Sequence, residues 1–288
     1  MKNFTKRVVI FGGTGFIGSH ITNNLRLKEI DLISLGTNNV NLLDLSAKKK
    51  LEDTLRDGDV VVFSSALAPC KNLSMFQKNL QMIQPFAKVL EKIQLSQLVY
   101  ISSDAVYKDT SELISEKSCA QPNSLHGAMH LSREIAFQNF SYCPVSVVRP
   151  TLVYGGNDPH NGYGPNSFAR LANKGETINL FGQGEELRDH IAVEDVAEIV
   201  SRVILKKVTG VINAVTGNTV TFNELANYIS KNFNLESEIR FKDRQVAVPH
   251  DGYRAFDNSN LFKLFPDLTL QSWEIGIKKL CSEFKAIS

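Results

Sequence analysis

A strand-like apolar run that leads into closely spaced glycines is the feature that most constrains the fold of this chain. Residues 8–11 read Val-Val-Ile-Phe, glycines follow at Gly12, Gly15 and Gly18, and residues 22–28 have helical character. In a strand–turn–helix unit, one glycine permits the turn, another lets the backbone approach phosphate oxygens, and a third allows close packing of helix on strand. The helix N-terminus then faces the anion with free N–H groups. The pattern predicts a site for a dinucleotide pyrophosphate, with a tight turn that binds nothing as the alternative.

Strand-like and helix-like segments alternate through the following part of the chain. The further predicted strands are residues 31–35, 60–64, 98–102, 145–149 and 210–215. The predicted helices between them are residues 51–56, 76–93 and 127–140. Several of the strands are continuous apolar runs, which are typical of a sheet buried on both faces. The alternation predicts an α/β fold with a Rossmann-type, doubly wound parallel sheet.

The character of the chain changes after residue 150, which indicates a second and smaller lobe. The elements predicted there are a long loop at 155–166, a helix at 167–173, an extended piece at 177–181 and a helix at 221–232. The last helix is predicted from Thr221 and Glu224, which have the spacing of a capping box. Long loops in compact domains often carry function.

Two domains of unequal size follow from this organisation. We expect residues 1–150, with residues 189–215 returning to them, to form a dinucleotide-binding Rossmann domain. Residues 151–188 and 216–288 are expected to form a substrate-binding lobe. In an open parallel sheet, ligands bind at the carboxyl ends of the strands.

Composition narrows the class of protein. The chain has 288 residues and a formal net charge of +2, which gives no general signal for nucleic acid or membrane binding. No apolar run approaches the roughly 18 residues that a membrane span needs. The four cysteines, Cys70, Cys119, Cys143 and Cys281, form no C-x-x-C pair, which argues against a zinc site and a disulfide framework. We expect a cytoplasmic protein with reduced thiols.

Three separate segments carry a resemblance to a known family. Residues 12–18 read Gly-Gly-Thr-Gly-Phe-Ile-Gly, residues 100–107 read Tyr-Ile-Ser-Ser-Asp-Ala-Val-Tyr, and residues 187–197 read Leu-Arg-Asp-His-Ile-Ala-Val-Glu-Asp-Val-Ala. In this order they resemble the extended short-chain dehydrogenase/reductases, the NAD(P)-dependent epimerase/dehydratase group that acts on nucleotide sugars. The resemblance covers nearly the whole chain.

The resemblance implies which residues bind the cofactor. The pyrophosphate site is implied for Gly12, Gly15, Phe16, Ile17 and Gly18. Asp44 and Leu45 match the residues that contact the adenine, and Asn79 matches a helix asparagine near the cofactor.

The resemblance also implies roles at the sugar. Ser103 matches the active-site hydroxyl that hydrogen-bonds the sugar oxygen being oxidised. Asn166 lies near a substrate-contacting asparagine of the family, and Arg188 matches an arginine that pairs with the substrate diphosphate. The planar fork of arginine suits phosphate oxygens, and an ordinary surface ion pair is the alternative for Arg188.

The chain departs from the family at its central Tyr-x-x-x-Lys motif. The tyrosine position holds His126 and the lysine position holds His130. Histidine titrates near pH 6.5, so His126 needs no neighbouring ammonium to act as a general base or acid. His130 lies one helical turn further on and is expected to bind the nicotinamide ribose, through either ring nitrogen. A neutral imidazole is a better partner for His126 than a lysine, because a charged neighbour lowers the pKa of a histidine.

Three other interpretations of this motif stay open. The His-x-x-x-His spacing can bind a metal, but the sequence supplies no obvious third ligand, and we expect no metal site. The histidines can also belong to an inactive descendant that still binds the nucleotide. Alternatively, the chemistry proceeds through Ser103 and Asp104, although Ala105 stands where dehydratases of the family usually carry a glutamate.

The expected activity is that of a nucleotide-sugar epimerase, which transiently transfers a hydride at a ring carbon. A keto-sugar reductase or dehydratase of the same family is the alternative, as is a dinucleotide-binding protein without catalysis. Gly36 stands where NAD-binding members carry a carboxylate, so a 2′-phosphate would not be repelled, but no Arg or Lys stands close by to bind one. NAD is favoured weakly because a bound, recycled cofactor suits an epimerase, and NADP is not excluded. The partner is expected to be a nucleotide sugar, and the resemblance implies a homodimer through the helices at 76–93 and 127–140.

Overall fold

The computed structural model describes residues 7–140, 142–233, 237–244 and 248–287. The strands are β1 (Val8–Phe11), β2 (Leu32–Leu35), β3 (Val60–Phe63), β4 (Gln97–Ile101), β5 (Val145–Pro150), β6 (Leu152–Tyr154), β7 (Ile178–Phe181), β8 (Leu187–Ala192), β9 (Gly210–Ala214), β10 (Thr219–Thr221), β11 (Ile239–Lys242) and β12 (Tyr253–Arg254). The helices are α1 (Phe16–Leu27), α2 (Ala47–Thr54), α3 (Leu73–Gln81), α4 (Gln84–Leu90), α5 (Leu125–Phe140), α6 (Pro165–Asn173), α7 (Val193–Leu205), α8 (Phe222–Lys231), α9 (Ser259–Leu264) and α10 (Trp273–Ile287). Two single-turn 3₁₀ segments, Asp104–Val106 and Pro249–Gly252, complete the described elements.

The chain divides into two compact units. The first unit consists of Met1–Lys108, Ser118–Pro150 and Val196–Ala214. The second unit consists of Asp109–Lys117, Thr151–Asp195 and Val215–Ser288. No helix in the described part of the chain is long and apolar enough to cross a membrane.

A six-stranded parallel sheet forms the centre of the first unit. Its strand order is β2-β1-β3-β4-β5-β9, and all five pairings are parallel. The order reverses direction beside β1, which is the point where open α/β sheets bind their ligands. The α/β, Rossmann-type fold expected from the sequence is confirmed.

Both faces of this sheet are covered. Successive strand residues point to opposite faces, so a strand buried throughout, such as β1, needs helices on both sides. On one face, Phe11 and Phe63 pack with Phe86 of α4 and Phe137 of α5. Elsewhere in the unit, α1 and α7 are joined where Lys28 forms an ion pair with Glu198. These helices explain why the strands appear in the sequence as continuous apolar runs.

One predicted helix is in fact two. The segment 76–93, expected as a single helix, is divided into α3 and α4. Pro85 lies in the first turn of α4, where its missing N–H costs nothing, but in the interior of a continuous helix it would break the ladder. The proline was a readable signal for this break.

In the second unit, β8 is the strand around which the others pair. It pairs with β10 in antiparallel fashion and with β6 and β12 in parallel fashion, while β7 and β11 form a separate parallel pair. Helices α6, α8 and α10 contribute to a core that includes Phe168, Phe222 and Leu280. Thr221 and Glu224 form the predicted capping box, so the expected start of α8 is confirmed.

The units differ from the predicted domains at two places. Residues 189–195, expected to return to the Rossmann domain, stay in the second unit because β8 takes all its strand partners there. Residues 109–117 also belong to the second unit, since Ile114 exchanges backbone hydrogen bonds with Ala255 and Asp257. Both assignments depend on long-range pairing that no local pattern reveals.

The capping box makes a measurable contribution to the stability of the second unit. In Thr221→Ala, the Glu224 N–H loses its acceptor, so the unfolding free energy should fall by about 1 kcal/mol. Urea-induced unfolding followed by circular dichroism measures this change. Thr221→Ser retains the hydroxyl and serves as the matched control, and an equal loss in both variants would contradict the assignment.

Candidate active site

The glycine turn packs closely against its own chain. Gly12 has φ +80°, and a Cβ there would lie 2.8 Å from the carbonyl carbon of Ser64. A Cβ on Gly18 would lie 2.0 Å from the Gly12 carbonyl oxygen, so only glycine allows α1 to begin this close to β1. Gly15 is exposed and is the N-cap of α1 without a side-chain cap. The packing of the turn thus requires glycine at 12 and 18, and it leaves the backbone exposed at Gly15, where the sequence predicts the pyrophosphate.

The N-terminus of α1 adds an electrostatic contribution. Phe16, Ile17 and Gly18 form the first turn of the helix. The first N–H groups of a helix have no acceptor within it, and the helix dipole gives them a partial positive charge. No acidic residue lies in this turn to compete for those groups. The contact of these three residues with a pyrophosphate stays a prediction.

The end of β2 has no room for the carboxylate that many NAD-binding sites carry. A Cβ on Gly36 would lie 2.4 Å from the Thr14 hydroxyl oxygen, so any side chain there forces a shift. The Gly36 N–H donates to Asn39 Oδ1 at 3.0 Å. The absence of a carboxylate is thus built into the packing of the turn.

The residues predicted at the adenine are exposed. Leu45 is fully exposed and Asp44 is held by the Asn41 side-chain amide at 2.8 Å. Asn79, by contrast, is completely buried. Its amide oxygen accepts from the Leu67 N–H, and its amide nitrogen donates to the carbonyl oxygens of Leu67 and Met75. Asn79 therefore holds the segment after β3 in place, and a direct contact of its amide with the cofactor stays a prediction.

Ser103 lies just beyond the carboxyl end of β4. Its Oγ accepts from the Ala105 N–H at 3.1 Å and donates to the Asp104 carboxylate at 3.4 Å. A Cβ on Gly127 would lie 2.0 Å from the Ala105 carbonyl oxygen, so this glycine lets the first turn of α5 reach the Ser103 segment. The close approach places His126, the residue before Gly127, beside that segment.

The two histidines occupy neighbouring positions on α5 with different surroundings. Their ring centroids are 4.7 Å apart and the rings are nearly perpendicular. His126 is half-buried, and its Nδ1 accepts from the Cys70 N–H at 3.3 Å. His130 is buried, and its Nδ1 lies 2.7 Å from the Tyr100 hydroxyl. The sequence left either nitrogen of His130 available for the ribose, and the structure leaves only Nε2.

Burial controls the charge of this pair. Desolvation lowers the pKa of His130 well below its ordinary value, and the nearby His126 and Arg133 act in the same direction. Desolvation raises the pKa of Tyr100, whose hydroxyl therefore keeps its proton. His130 is consequently neutral at pH 7, as the sequence analysis prefers for a partner of His126.

Arg133, a fully buried arginine on α5, binds the elements that surround the two histidines. Arg133 donates through Nε to the Asn79 carbonyl oxygen at 3.0 Å and through Nη1 to the Ser65 carbonyl oxygen at 2.8 Å. Its guanidinium lies 5.2 Å from the Phe63 ring centroid and 6.0 Å from the Tyr100 ring centroid. Arg133 thereby joins α3, α5 and the ends of β3 and β4.

A buried ion pair involves Glu134, the residue after Arg133 on α5. The Glu134 carboxylate accepts a hydrogen bond from Nε of Arg149 at 2.9 Å and another from Nη2 of the same guanidinium. It also accepts a hydrogen bond from the Ser102 hydroxyl. The Arg149 guanidinium lies over the Tyr107 ring. Bidentate pairs of this kind hold their elements in a defined geometry, here α5, β4 and β5.

The second unit contains the two residues predicted to contact substrate. Arg188 is buried on β8 and donates through Nη2 to Glu186 at 2.7 Å. The ion pair is thus buried, and the alternative of a surface ion pair is ruled out for Arg188. Arg244 also contacts the Glu186 carboxylate. Asn166 is buried and binds the backbone of Gly155 through both amide atoms.

Sequence reasoning missed the residues that surround the histidines. Cys70, Tyr100, Gly127 and Arg133 hold the site together through contacts with elements distant in the chain. Only Gly127 carried a local signal, as a glycine in the first turn of a predicted helix. Within the described ranges, no group of three or more His, Cys, Asp or Glu side chains is placed to hold a metal ion.

Next to Arg188, a buried histidine has no hydrogen-bond partner. Both ring nitrogens of His190 are buried and unpaired, and burial, with the Arg188 charge, lowers its pKa to about 3. The pKa of this histidine in the unfolded chain is about 6.5. Below pH 6.5 the unfolded chain binds a proton that the folded chain excludes, so stability that is present above pH 6.5 is lost as the pH falls towards 3.

We expect wild type to lose about 1.5 kcal/mol more stability than His190→Phe between pH 6.5 and pH 5. Urea-induced unfolding at the two pH values measures the difference. The lowered pKa of buried His130 also makes stability fall with pH. Because wild type and His190→Phe both contain His130, its effect cancels in the comparison. Equal acid sensitivity of the two proteins would show that His190 is not titrating in the fold.

Comparison with known proteins places this arrangement in a family. Residues 8–217 match the model of the NAD dependent epimerase/dehydratase family. A trifunctional UDP-glucose 4,6-dehydratase/UDP-4-keto-6-deoxy-D-glucose 3,5-epimerase/UDP-4-keto-L-rhamnose-reductase of Arabidopsis thaliana is 26% identical over 97% of this chain, which spans only 47% of that relative. The chain thus spans about half the length of this curated relative.

Solved structures support the same fold. The UDP-glucose 4-epimerase of Thermus thermophilus in complex with NAD has a TM-score of 0.80 at 21% identity, covering 98% of this chain and 100% of that one. The UDP-glucose 4-epimerase of Thermotoga maritima with UDP-glucose has a TM-score of 0.84 at 20% identity, covering 98% and 99%. The family model covers most of the chain, so the chain belongs to the NAD dependent epimerase/dehydratase family.

Proposed function

We propose that the chain is a nucleotide-sugar epimerase that uses a nicotinamide dinucleotide. One observation carries the proposal: the first unit holds, on one sheet, a glycine turn that opens α1 and the Ser103 hydroxyl beyond β4, with α5 packed against the Ser103 segment at Gly127. When bound, the nicotinamide accepts a hydride from a sugar ring carbon and returns it to the opposite face. Relatives of the family that are named as UDP-glucose 4-epimerases share the fold, which supports UDP-sugars as the first substrates to test.

In this proposal the chain's own residues divide the work of binding and orientation. Gly12, Gly15 and Gly18 bind the pyrophosphate through the backbone. Ser103 and His126 hold the reacting sugar oxygen, and His130 offers Nε2 to the nicotinamide ribose.

Arg188 and Asn166 are proposed to bind the sugar nucleotide, as the family resemblance implies. Arg188 donates through Nη2 to Glu186 and through Nη1 to the Leu187 carbonyl oxygen. A diphosphate would therefore share the guanidinium with Glu186, and Glu186 fixes its orientation. Asn166 would act mainly by shaping the loop at Gly155.

The cofactor is proposed to be NAD. Because Gly36 has no carboxylate to repel a 2′-phosphate, NADP binding should be measured alongside NAD binding. All four cysteines are free, which supports the proposed cytoplasmic location.

Replacement of His126 tests the proposed reaction. In His126→Ala the reacting oxygen loses a polar partner, so turnover of the sugar nucleotide should fall about 10²-fold or more. The conversion of UDP-glucose and UDP-galactose, followed by chromatography, measures turnover, and calorimetry should show that NAD binding is retained. Tyr142→Phe, an exposed and remote change, is the control. Full turnover in His126→Ala would remove His126 from the proposed role.

We further propose a homodimer through α3 and α5. Both helices expose apolar side chains, Leu73 on α3 and Leu125 and Ile135 on α5. The helices are packed together through Arg133, which donates to the carbonyl oxygen of Asn79. Exposed apolar side chains on two packed helices favour burial between copies of the chain.

Ile135→Glu should convert the dimer to a monomer, because a carboxylate would be buried without a partner at the interface. Light scattering after size-exclusion chromatography measures the mass. Leu27→Glu on α1 adds the same charge at a more exposed position and should leave the dimer intact. A wild-type protein that elutes as a monomer at high concentration contradicts the proposal.

A further inference from the structure

The hydrogen bonds around the two histidines determine which ring nitrogen carries the hydrogen. A backbone N–H can only donate, so the contact of the Cys70 N–H with His126 requires a lone pair on Nδ1 of that ring. A neutral imidazole has one N–H and one lone pair. The hydrogen of neutral His126 is therefore on Nε2.

The charge of Arg133 leads to the same assignment for His130. The guanidinium is close enough to lower the pKa of Tyr100 against the effect of burial, and a cation favours a hydroxyl that turns its oxygen towards the charge. The hydroxyl hydrogen is then directed at Nδ1 of His130, 2.7 Å away, which places the hydrogen of that ring on Nε2 as well.

This arrangement limits what the histidines can do in catalysis. A ring with its hydrogen on Nε2 presents a donor there, and it takes up a proton only on Nδ1, where the Cys70 N–H already points. A general base must present a lone pair to the proton it removes. His126 in this tautomer is suited to hydrogen-bond an oxygen that gains negative charge, and it is poorly suited to deprotonate a hydroxyl.

Ser103 provides the other route for the proton. Its hydroxyl accepts from the Ala105 N–H and is directed at the Asp104 carboxylate at 3.4 Å. A carboxylate has only acceptors when ionised, and it can take the proton that the serine passes on. The segment thus contains a donor–acceptor chain that leads from the site to an acid.

We propose that His126 serves the reaction as an N–H donor to the reacting sugar oxygen, and that the hydroxyl proton leaves through Ser103 to Asp104. The inference rests on the proposed epimerase function for its reaction, and on the described contacts alone for the tautomers. Tyr100 and Cys70 are then positioning residues, because they act on the reaction through the rings of His130 and His126.

The oxidation step balances as follows. The C–H bond of the sugar carbon breaks, and the hydride leaves with both electrons to the oxidised nicotinamide. The sugar O–H bond breaks, its proton passes to the Ser103 oxygen, and the Ser103 proton passes to the Asp104 carboxylate. A C=O bond forms, and its oxygen stays hydrogen-bonded to Nε2–H of His126. Reduction on the opposite face returns the hydride and reverses both proton transfers.

Nitrogen NMR of the imidazole rings tests the tautomers without any substrate. In ¹⁵N-labelled wild-type protein at pH 7, long-range proton–nitrogen spectra should show both rings neutral with hydrogen on Nε2. In Tyr100→Phe, His130 should change to a mixture of tautomers while His126 stays unchanged, and Tyr142→Phe should alter neither ring. A His126 ring that is charged, or that carries hydrogen on Nδ1, overturns the proposal.

Kinetics separates a donor from a base at position 126. The His126→Gln side chain keeps an N–H donor but cannot remove a proton, so it should retain turnover within about tenfold of wild type, against about 10²-fold loss in His126→Ala. Asp104→Asn should lose about 10²-fold, because the amide cannot accept the Ser103 proton. Thermal unfolding of each variant checks that the fold is intact.

The outcomes of the two experiments are distinguishable. If His126→Gln is as inactive as His126→Ala while Asp104→Asn is active, His126 is the base and the proposal fails although the epimerase function stands. If wild type turns over no sugar nucleotide, the proposed function fails, and the NMR result still decides the tautomers.

Discussion

The buried charge of Arg133 is the constraint on which the rest of the first unit depends. Its guanidinium is completely buried, where desolvation of an ion costs several kcal/mol, and its partners among the described residues include no carboxylate. Carbonyl oxygens of Ser65 and Asn79 and the rings of Phe63 and Tyr100 compensate instead. These partners come from β3, α3 and β4, so the charge is stabilised only when the three elements meet α5 in one arrangement.

The contacts of Arg133 also determine the geometry around His126 and His130. Because Arg133 is a cation close to Tyr100, it favours a hydroxyl whose hydrogen is directed at His130, and the hydroxyl in turn determines the tautomer of His130. The carbonyl oxygen that Arg133 binds on Asn79 belongs to the residue whose side chain holds the segment after β3. That segment leads to Cys70, whose N–H binds His126. One cation therefore sets the surroundings of both histidines.

Features decided by local chemistry could be predicted from the sequence. The glycine turn, the strand runs and the capping box at Thr221 depend on steric limits and spacings of a few residues, and each lies where the pattern placed it. The partners of Asn79 and Arg188 could not be predicted, since they come from backbone turns and from Glu186, whose approach depends on the folded chain. The sequence indicates which residues are polar and special, but only the fold shows which of their atoms are already engaged.

His126 and His130, which stand at the tyrosine and lysine positions of the family motif, depend on each other. A lysine at position 130 would place an ammonium in a fully buried position close to Arg133, and beside His126 that charge would lower the pKa of the imidazole. A histidine at 126 thus favours a neutral neighbour, and His130 is neutral because burial and Arg133 keep it so. The ring of His130 also offers a lone pair to Tyr100, which an ammonium lacks. The physical chemistry of each position makes the other substitution advantageous, so the two histidines form a single, mutually dependent unit.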